Sequence, residues 1–230
     1  MKITAIQHDA ADPPAHAATV AADLGHELKV IRLDRGDGIP TVADADMLMT
    51  FGGAISLTTS EQPEWVIQEQ SLIRKYAESG RRVLGICLGS QMVAAALGAT
   101  VRRNEQPEAG WHTVDHVAES TSAIGELFRD SPTVFHWHQD TFGIPDGAQH
   151  ILRSAATHHQ GFTIDDRIVG LQFHLEANKK TVETFLFVSQ LWRQNAPHVQ
   201  SEQAIREGIE TYLRGQQQLL RSLLDQMKQA

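Results

Sequence analysis

Val83-Leu84-Gly85-Ile86-Cys87-Leu88-Gly89-Ser90-Gln91 decides the fold. Val83 to Ile86 is an apolar run of strand character, and it ends on the only cysteine in the chain. Gln91-Met92-Val93-Ala94-Ala95-Ala96-Leu97 then reads as a helix. A strand, a tight turn bearing a nucleophile and a helix make a nucleophile elbow, here in the form Gly-x-Cys-x-Gly. The turn strains the backbone at the nucleophile, so its neighbours must be small. The helix that starts there aims its free N–H groups and positive dipole end at the sulfur, which favours thiolate over thiol. Taken alone, the same stretch also fits a structural cysteine buried between a strand and a helix.

Upstream, the pattern alternates strand and helix. Lys2 to Gln7 reads as a strand, and Asp9 to Pro14 as a polar loop. Ala15 to Leu24 is a helix closed by Gly25. Glu27 to Leu33 is a second strand before the turn Arg35-Gly36-Asp37-Gly38, and Asp46 to Phe51 is a third that runs into Gly52-Gly53. Pro63 to Ser79 has helical spacing between Pro63 and Gly80. This order predicts an α/β fold with an open parallel sheet covered on both faces.

Downstream, the pattern breaks up. Val101–Arg103, Thr113–Val117, Val134–His138, Ile151–Ser154, Gly161–Ile164 and Val169–Phe173 read as short strands. Ser122 to Phe128 is a short helix among them. They predict a mixed or antiparallel extension of the same sheet. Asn178 to Gln194 reads as a helix interrupted by Pro197, and Ser201 to about Lys228 as another with a single apolar stripe. The expected organisation is one domain, residues 1–196, with a helical extension, 197–230, packed on it. A homodimer contact through that stripe is the alternative.

A cysteine nucleophile needs a base, and the base needs an orienting acceptor. Leu171-Gln172-Phe173-His174-Leu175-Glu176 offers both. The last strand delivers His174 to the sheet edge that holds Cys87, and Glu176 two residues on shares its face in extended chain. Attack on a carbonyl also needs N–H donors for the oxyanion. Leu88, next after the nucleophile, is one, and the loop Phe51-Gly52-Gly53-Ala54 fits as the source of the second, although Gly-Gly after a strand is equally read as a turn. His136-Trp137-His138 and His158-His159 could chelate, but no helical His-Glu-x-x-His pattern accompanies them, so no metal and no other cofactor is expected.

Composition excludes several classes. The 230 residues are 41% hydrophobic and 21% charged, as in ordinary globular proteins. The net charge of −8 without a basic block argues against nucleic acid as a partner. No stretch has the length and apolarity of a membrane span or a signal peptide, so a cytoplasmic location is expected. One cysteine cannot form an internal disulfide.

Together these motifs resemble the class I (triad) glutamine amidotransferases. Gly85-Ile86-Cys87-Leu88-Gly89-Ser90-Gln91, Phe51-Gly52-Gly53 and Gly170-Leu171-Gln172-Phe173-His174-Leu175-Glu176 stand in that family's order. Ala109-Gly110-Trp111 and Phe135-His136-Trp137-His138-Gln139-Asp140-Thr141-Phe142 resemble free-standing domains similar to the amidotransferase half of GMP synthase. The resemblance implies a flavodoxin-like domain that hydrolyses the glutamine side-chain amide through a γ-glutamyl thioester on Cys87. His174 and Glu176 would complete the triad, Gly53 and Leu88 the oxyanion hole, and Gln91 would bind the amino-acid end. His138, His159, Gly161 and Phe162 fall where relatives shape the substrate pocket. The chain reads His138-Gln139-Asp140 where the family often has His-Gly-Asp, and His159-Gln160-Gly161-Phe162 where relatives tend to have Asn-Gln-Ala-Phe or Asn-His-Gly-Phe. No ATP pyrophosphatase segment occurs within these residues. The implied partners are therefore glutamine and a separate synthase subunit that takes the ammonia. Hydrolysis of another γ-glutamyl compound, a peptide or an amine, is the alternative, as is a protein that kept the fold without the activity.

Overall fold

The computed structural model describes residues 1–40, 45–189, 193 and 195–230. The strands are β1 (Lys2–Gln7), β2 (Glu27–Arg32), β3 (Met47–Thr50), β4 (Arg82–Ile86), β5 (Val101–Thr113), β6 (Asp115–His116), β7 (Thr133–Phe142), β8 (Gln149–Arg153), β9 (Gly161–Ile164) and β10 (Ile168–Leu171). The helices are α1 (Ala15–Asp23), α2 (Glu64–Glu78), α3 (Leu88–Ala96), α4 (Ala123–Glu126), α5 (Lys179–Val188) and α6 (Glu202–Gln229).

Eight strands form one sheet in the order β2-β1-β3-β4-β10-β9-β8-β6. The pairs from β2 through β10 are parallel, and those from β10 through β6 antiparallel. The arrangement is the flavodoxin-like one, α/β and mostly open. Alternation along each strand divides the core. Ile3, Ala5, Met47, Met49, Leu84 and Ile86 face α1 and the C-terminal half of α6. Ile6, Leu48 and Val83 face α2 and α3. Because β1, β3, β4 and β10 are parallel neighbours, their C-terminal ends lie side by side along one edge. The loops that leave this edge carry Cys87, His174 and Gly53.

The middle differs from the sequence reading. Val101–Arg103 is not a strand of the main sheet, and of Thr113–Val117 only Asp115–His116, β6, joins that sheet, at its edge against β8. A single long strand, β5, runs from Val101 to Thr113 and pairs with β7 in a detached antiparallel ribbon. The polar run Asn104 to Glu108 with Pro107 hid it. The proline falls where the register shifts between Arg103 and Glu108, a place that needs no ladder donor. β7 likewise continues past His138 to Phe142, and the last strand ends at Leu171 rather than Phe173. The helix expected to reach Gln194 ends at Val188, where Ser189 turns extended (φ −98°, ψ 149°). Gln190 to Trp192 and Gln194 lie outside the described residues.

α6 lays its stripe on its own chain. Ile205 and Ile209 pack on the ribbon, and Leu220, Leu223, Leu224 and Met227 on the sheet. The Ala109-Gly110-Trp111 motif is the dock. The Trp111 indole donates to the Ile205 carbonyl (2.9 Å), and Gln200 makes both hydrogen bonds to the Trp111 backbone (2.9 and 2.8 Å). Gly208 lies so close that a Cβ there would sit 2.0 Å from the indole. Buried Gln216 joins the Phe135 N–H (2.8 Å) to the His174 carbonyl (3.1 Å). The terminal helix thereby supports the loop that carries His174.

Candidate active site

Cys87 sits between β4 and α3 with φ 53° and ψ −113°, an unfavourable region for a side-chain-bearing residue and the signature of the elbow. Its N–H donates to the Leu171 carbonyl (2.9 Å), and its own carbonyl accepts from Ser90 and Gln91. The flanking glycines are sterically required. A Cβ on Gly85 would lie 2.5 Å from the Gly89 carbonyl oxygen, and one on Gly89 would lie 2.0 Å from the Thr50 oxygen. α3 begins at Leu88, earlier than the sequence reading, so Leu88 and Gly89 occupy the first turn. Gly89 N–H donates to the Phe51 carbonyl, and this ties the elbow to the loop after β3.

His174 follows β10 in irregular backbone that is fixed by its N–H to the Phe135 carbonyl (2.8 Å). Its ring is buried, with Nδ1 2.8 Å from Oε1 of Glu176. Nδ1 therefore carries a proton and Nε2 is left for the sulfur side. Glu176 reaches the ring from a turn rather than from extended chain. Burial alone would lower the His174 pKa. The charges of Cys87 and Glu176, and hydrogen bonds to both, override it and raise the pKa well above the ordinary imidazole value.

Gly53 stands against Leu88 and His8, where a Cβ would lie 2.8 Å from Leu88 Cδ2. Among the described residues neither the Gly53 nor the Leu88 N–H has an acceptor. Two cavities open on Cys87. One of about 260 Å³ is lined by Gly53, Leu88, Gln91, Arg103, Trp137 and His138, among others. The other, about 280 Å³, has Asp9, Asp12, Gly53, His174, Phe185 and Val188 in its wall. Gln91 is buried and donates to Gln172 (3.2 Å).

The remaining pocket residues part company. His138 reaches the first cavity, with Nε2 3.1 Å from Oε2 of Glu108. Glu108 is buried and accepts from Ser154, Thr157 and Gln160. Burial holds neighbouring His136 down to about 3, so it stays neutral. His159, Gly161 and Phe162 line neither cavity. His159 donates from Nδ1 to the Phe142 carbonyl (2.7 Å), Gly161 abuts Leu152, and Phe162 fills the core edge-on to Phe142. Gln160, not His159, turns inward.

Two groups at this edge were missed from the sequence. His8, after β1, donates from Nδ1 to the Phe51 and Gly52 carbonyls (3.0 and 3.1 Å) and from Nε2 to Glu69 (2.8 Å). All its partners are acceptors, so the ring is an imidazolium that clamps the loop carrying Gly53. Burial would lower its pKa, but the Glu69 charge and these hydrogen bonds raise it. Asp12 is buried, with Oδ1 3.7 Å from Nδ1 of His174, and that oxygen has no hydrogen bond among the described residues. Burial first, then the charges of Glu176 and Asp9, push its carboxyl up to about 7. In sequence Asp12 falls in the polar loop Asp9–Pro14 and His8 just before it, and their partners lie far along the chain.

Asp12 gives the fold a measurable pH dependence. Its folded pKa lies above the unfolded value, so its protonated form is favoured in the native state. Stability is full at low pH and falls as pH rises from about 4 through about 7, by on the order of 3–4 kcal/mol. Asp12→Asn should match the wild type in urea denaturation at pH 4 and exceed it by a few kcal/mol at pH 8. An equal gap at both pH values would show that Asp12 does not titrate there.

Comparison with known proteins identifies the family. The profile of the family described as Glutamine amidotransferase class-I matches residues 17–193. The chain is 31% identical over 195 residues to the glutamine amidotransferase-like protein YfeJ of Salmonella typhimurium, covering 83% of this chain and 82% of that one. It is 36% identical over 108 residues to the A subunit of the glutamine-hydrolyzing GMP synthase of Sulfolobus acidocaldarius, covering 44% of this chain and 55% of that one. The crystal structure of a glutamine amidotransferase from Methylobacillus flagellatus superposes with a TM-score of 0.91 at 27% identity, over 99% of this chain and 94% of that one. With the match extending over most of its length, the chain belongs to the class-I glutamine amidotransferase family.

Proposed function

We propose that this protein hydrolyses the side-chain amide of glutamine and releases ammonia. The observation that carries the reading is the alignment at one sheet edge of a strained Cys87, a buried His174 bound to Glu176 at 2.8 Å, and two N–H groups without acceptors among the described residues. In this reading Cys87 Sγ attacks the amide carbon while the N–H groups of Gly53 and Leu88 receive the oxyanion. The C–N bond breaks as His174 Nε2 gives its proton to the leaving nitrogen. The same ring then takes a proton from water, which cleaves the thioester and frees glutamate. Gln91, Arg103 and His138 line the cavity that would take the amino-acid end of the substrate. The ammonia would pass to a separate synthase-type subunit, as the similarity to one subunit of a GMP synthase supports.

The second cavity favours a further reading within the same chemistry. A leaving group larger than ammonia would sit beside Phe185, Val188 and Asp12. The test is kcat/KM for glutamine against γ-glutamyl peptides and γ-glutamyl amines, measured as glutamate released by the purified protein. Glutamine as the best substrate is the expected result. A γ-glutamyl conjugate turned over tenfold better would reassign the leaving group, and release of no glutamate from any of them would sink both readings.

A further inference from the structure

We propose that His150, His158 and His159, none of which lines the Cys87 cavities, form a binding site for a late transition-metal dication such as Zn2+. The sequence pairs only His158 with His159; β8 supplies the third imidazole. One ring nitrogen from each of the three lies within 4.8 Å of the others. The ring centroids are 4.9, 5.0 and 4.8 Å apart. Three imidazoles bound tetrahedrally at ~2.1 Å have centroids ~5 Å apart, so the rings need only small rotations to close on one ion.

The hydrogen bonds behind these rings have the pattern that metal-ligating histidines require. Nε2 of His150 donates to the Leu152 carbonyl (2.9 Å), and Nδ1 of His159 to the Phe142 carbonyl (2.7 Å). Carbonyls only accept, so the bond at His159 fixes its tautomer and leaves the other ring nitrogen with a free lone pair, while the His150 ring also meets the His158 backbone, a contact that coordination would replace. His158 is exposed, which gives the ion a way in and leaves a fourth position to water.

Two other clusters also bring potential ligands together, Glu108–His136–His138 and Asp12–His174–Glu176. Both are buried, and Glu108 and Glu176 already serve as hydrogen-bond acceptors there. Around the proposed site the charges nearly balance: Arg102 faces His159, and His158 shares a surface recess with Arg102, Arg153, Glu105 and Asp115. An all-imidazole donor set suits Zn2+, Ni2+ or Cu2+ and not Mg2+ or Ca2+. The ion would tie β8 to the loop before β9, whose Gln160 holds Glu108 beneath His138.

The test is Zn2+ titration of tag-free protein against a chromogenic chelator at pH 7.5, with Co2+ absorption as a second readout. One equivalent of Zn2+ should bind with micromolar affinity or tighter, and Co2+ should show the intense visible bands of a tetrahedral site. His158→Ala, an exposed change that leaves the fold alone, should weaken binding at least tenfold. Cys87→Ser should bind as the wild type does. No uptake by the wild type, unchanged uptake by His158→Ala, or loss of uptake in Cys87→Ser would each overturn the assignment.

Discussion

Cys87→Ser should lower glutamate release from glutamine at least ~10⁴-fold while leaving the melting temperature within about a degree. The hydroxyl is isosteric enough to stay in place, because backbone contacts and not the sulfur hold the elbow. The Cys87 N–H is bound to Leu171, and its carbonyl receives both Ser90 and Gln91. Beyond its hydrogen bond with the His174 ring, the side chain makes a weak contact, 3.9 Å from sulfur to the Trp137 carbonyl. What disappears is the chemistry. A serine hydroxyl is far less acidic than a thiol, so the helix N-terminus and the imidazole that favour a thiolate do not give an ionised oxygen nucleophile. Parallel measurement of turnover and thermal unfolding separates the two effects. A serine variant within tenfold of wild type would remove Cys87 from the mechanism.

Glu176→Gln should lower kcat by ~10³ with KM little changed, since the carboxylate acts on the ring and not on the substrate. Glu176 fixes the proton on Nδ1 and its charge helps raise the His174 pKa. Without that charge the His174 pKa falls, and the alkaline limb of kcat/KM moves to lower pH. The neighbour at 3.7 Å sharpens the expectation. The Glu176 charge is one of the influences that raise the Asp12 carboxyl to about 7. Its removal lets Asp12 ionise and take up part of the orienting role. The double variant Asp12→Asn/Glu176→Gln should therefore lose about another tenfold, while Asp12→Asn alone changes kcat little. A double variant no worse than Glu176→Gln would deny Asp12 that role.

The elbow, its glycines and the His174-x-Glu176 pair were legible in the sequence because their geometry is local. A strand, a turn with a strained residue and a helix impose small neighbours within two positions on either side, and the structure shows the backbone oxygens that a Cβ at Gly85 or Gly89 would strike. The parallel half of the sheet was legible for a similar reason, since apolar runs at strand length alternated with helical spacing. The ribbon was not, because a proline and charged residues interrupt β5 and its pairing with β7 is long-range. His159 and Phe162 show the same limit at the pocket. Their motif lies near the site in the chain, yet the strand alternation of β9 turns Phe162 into the core and the Phe142 carbonyl holds His159 aside.

The sequence by itself determined which atoms could do the chemistry and that they would share a sheet edge, because the elbow and the last parallel strand both end there. Only the tertiary structure decided what surrounds them. His8 meets Glu69 across 61 positions, Asp12 meets His174, Gln216 meets the His174 carbonyl, and His150 meets His158 and His159. Burial and charge at such meetings set whether a carboxyl is ionised, whether an imidazole is a cation and which nitrogen holds its proton. Those properties belong to distances in space, and spacing along the chain does not encode them.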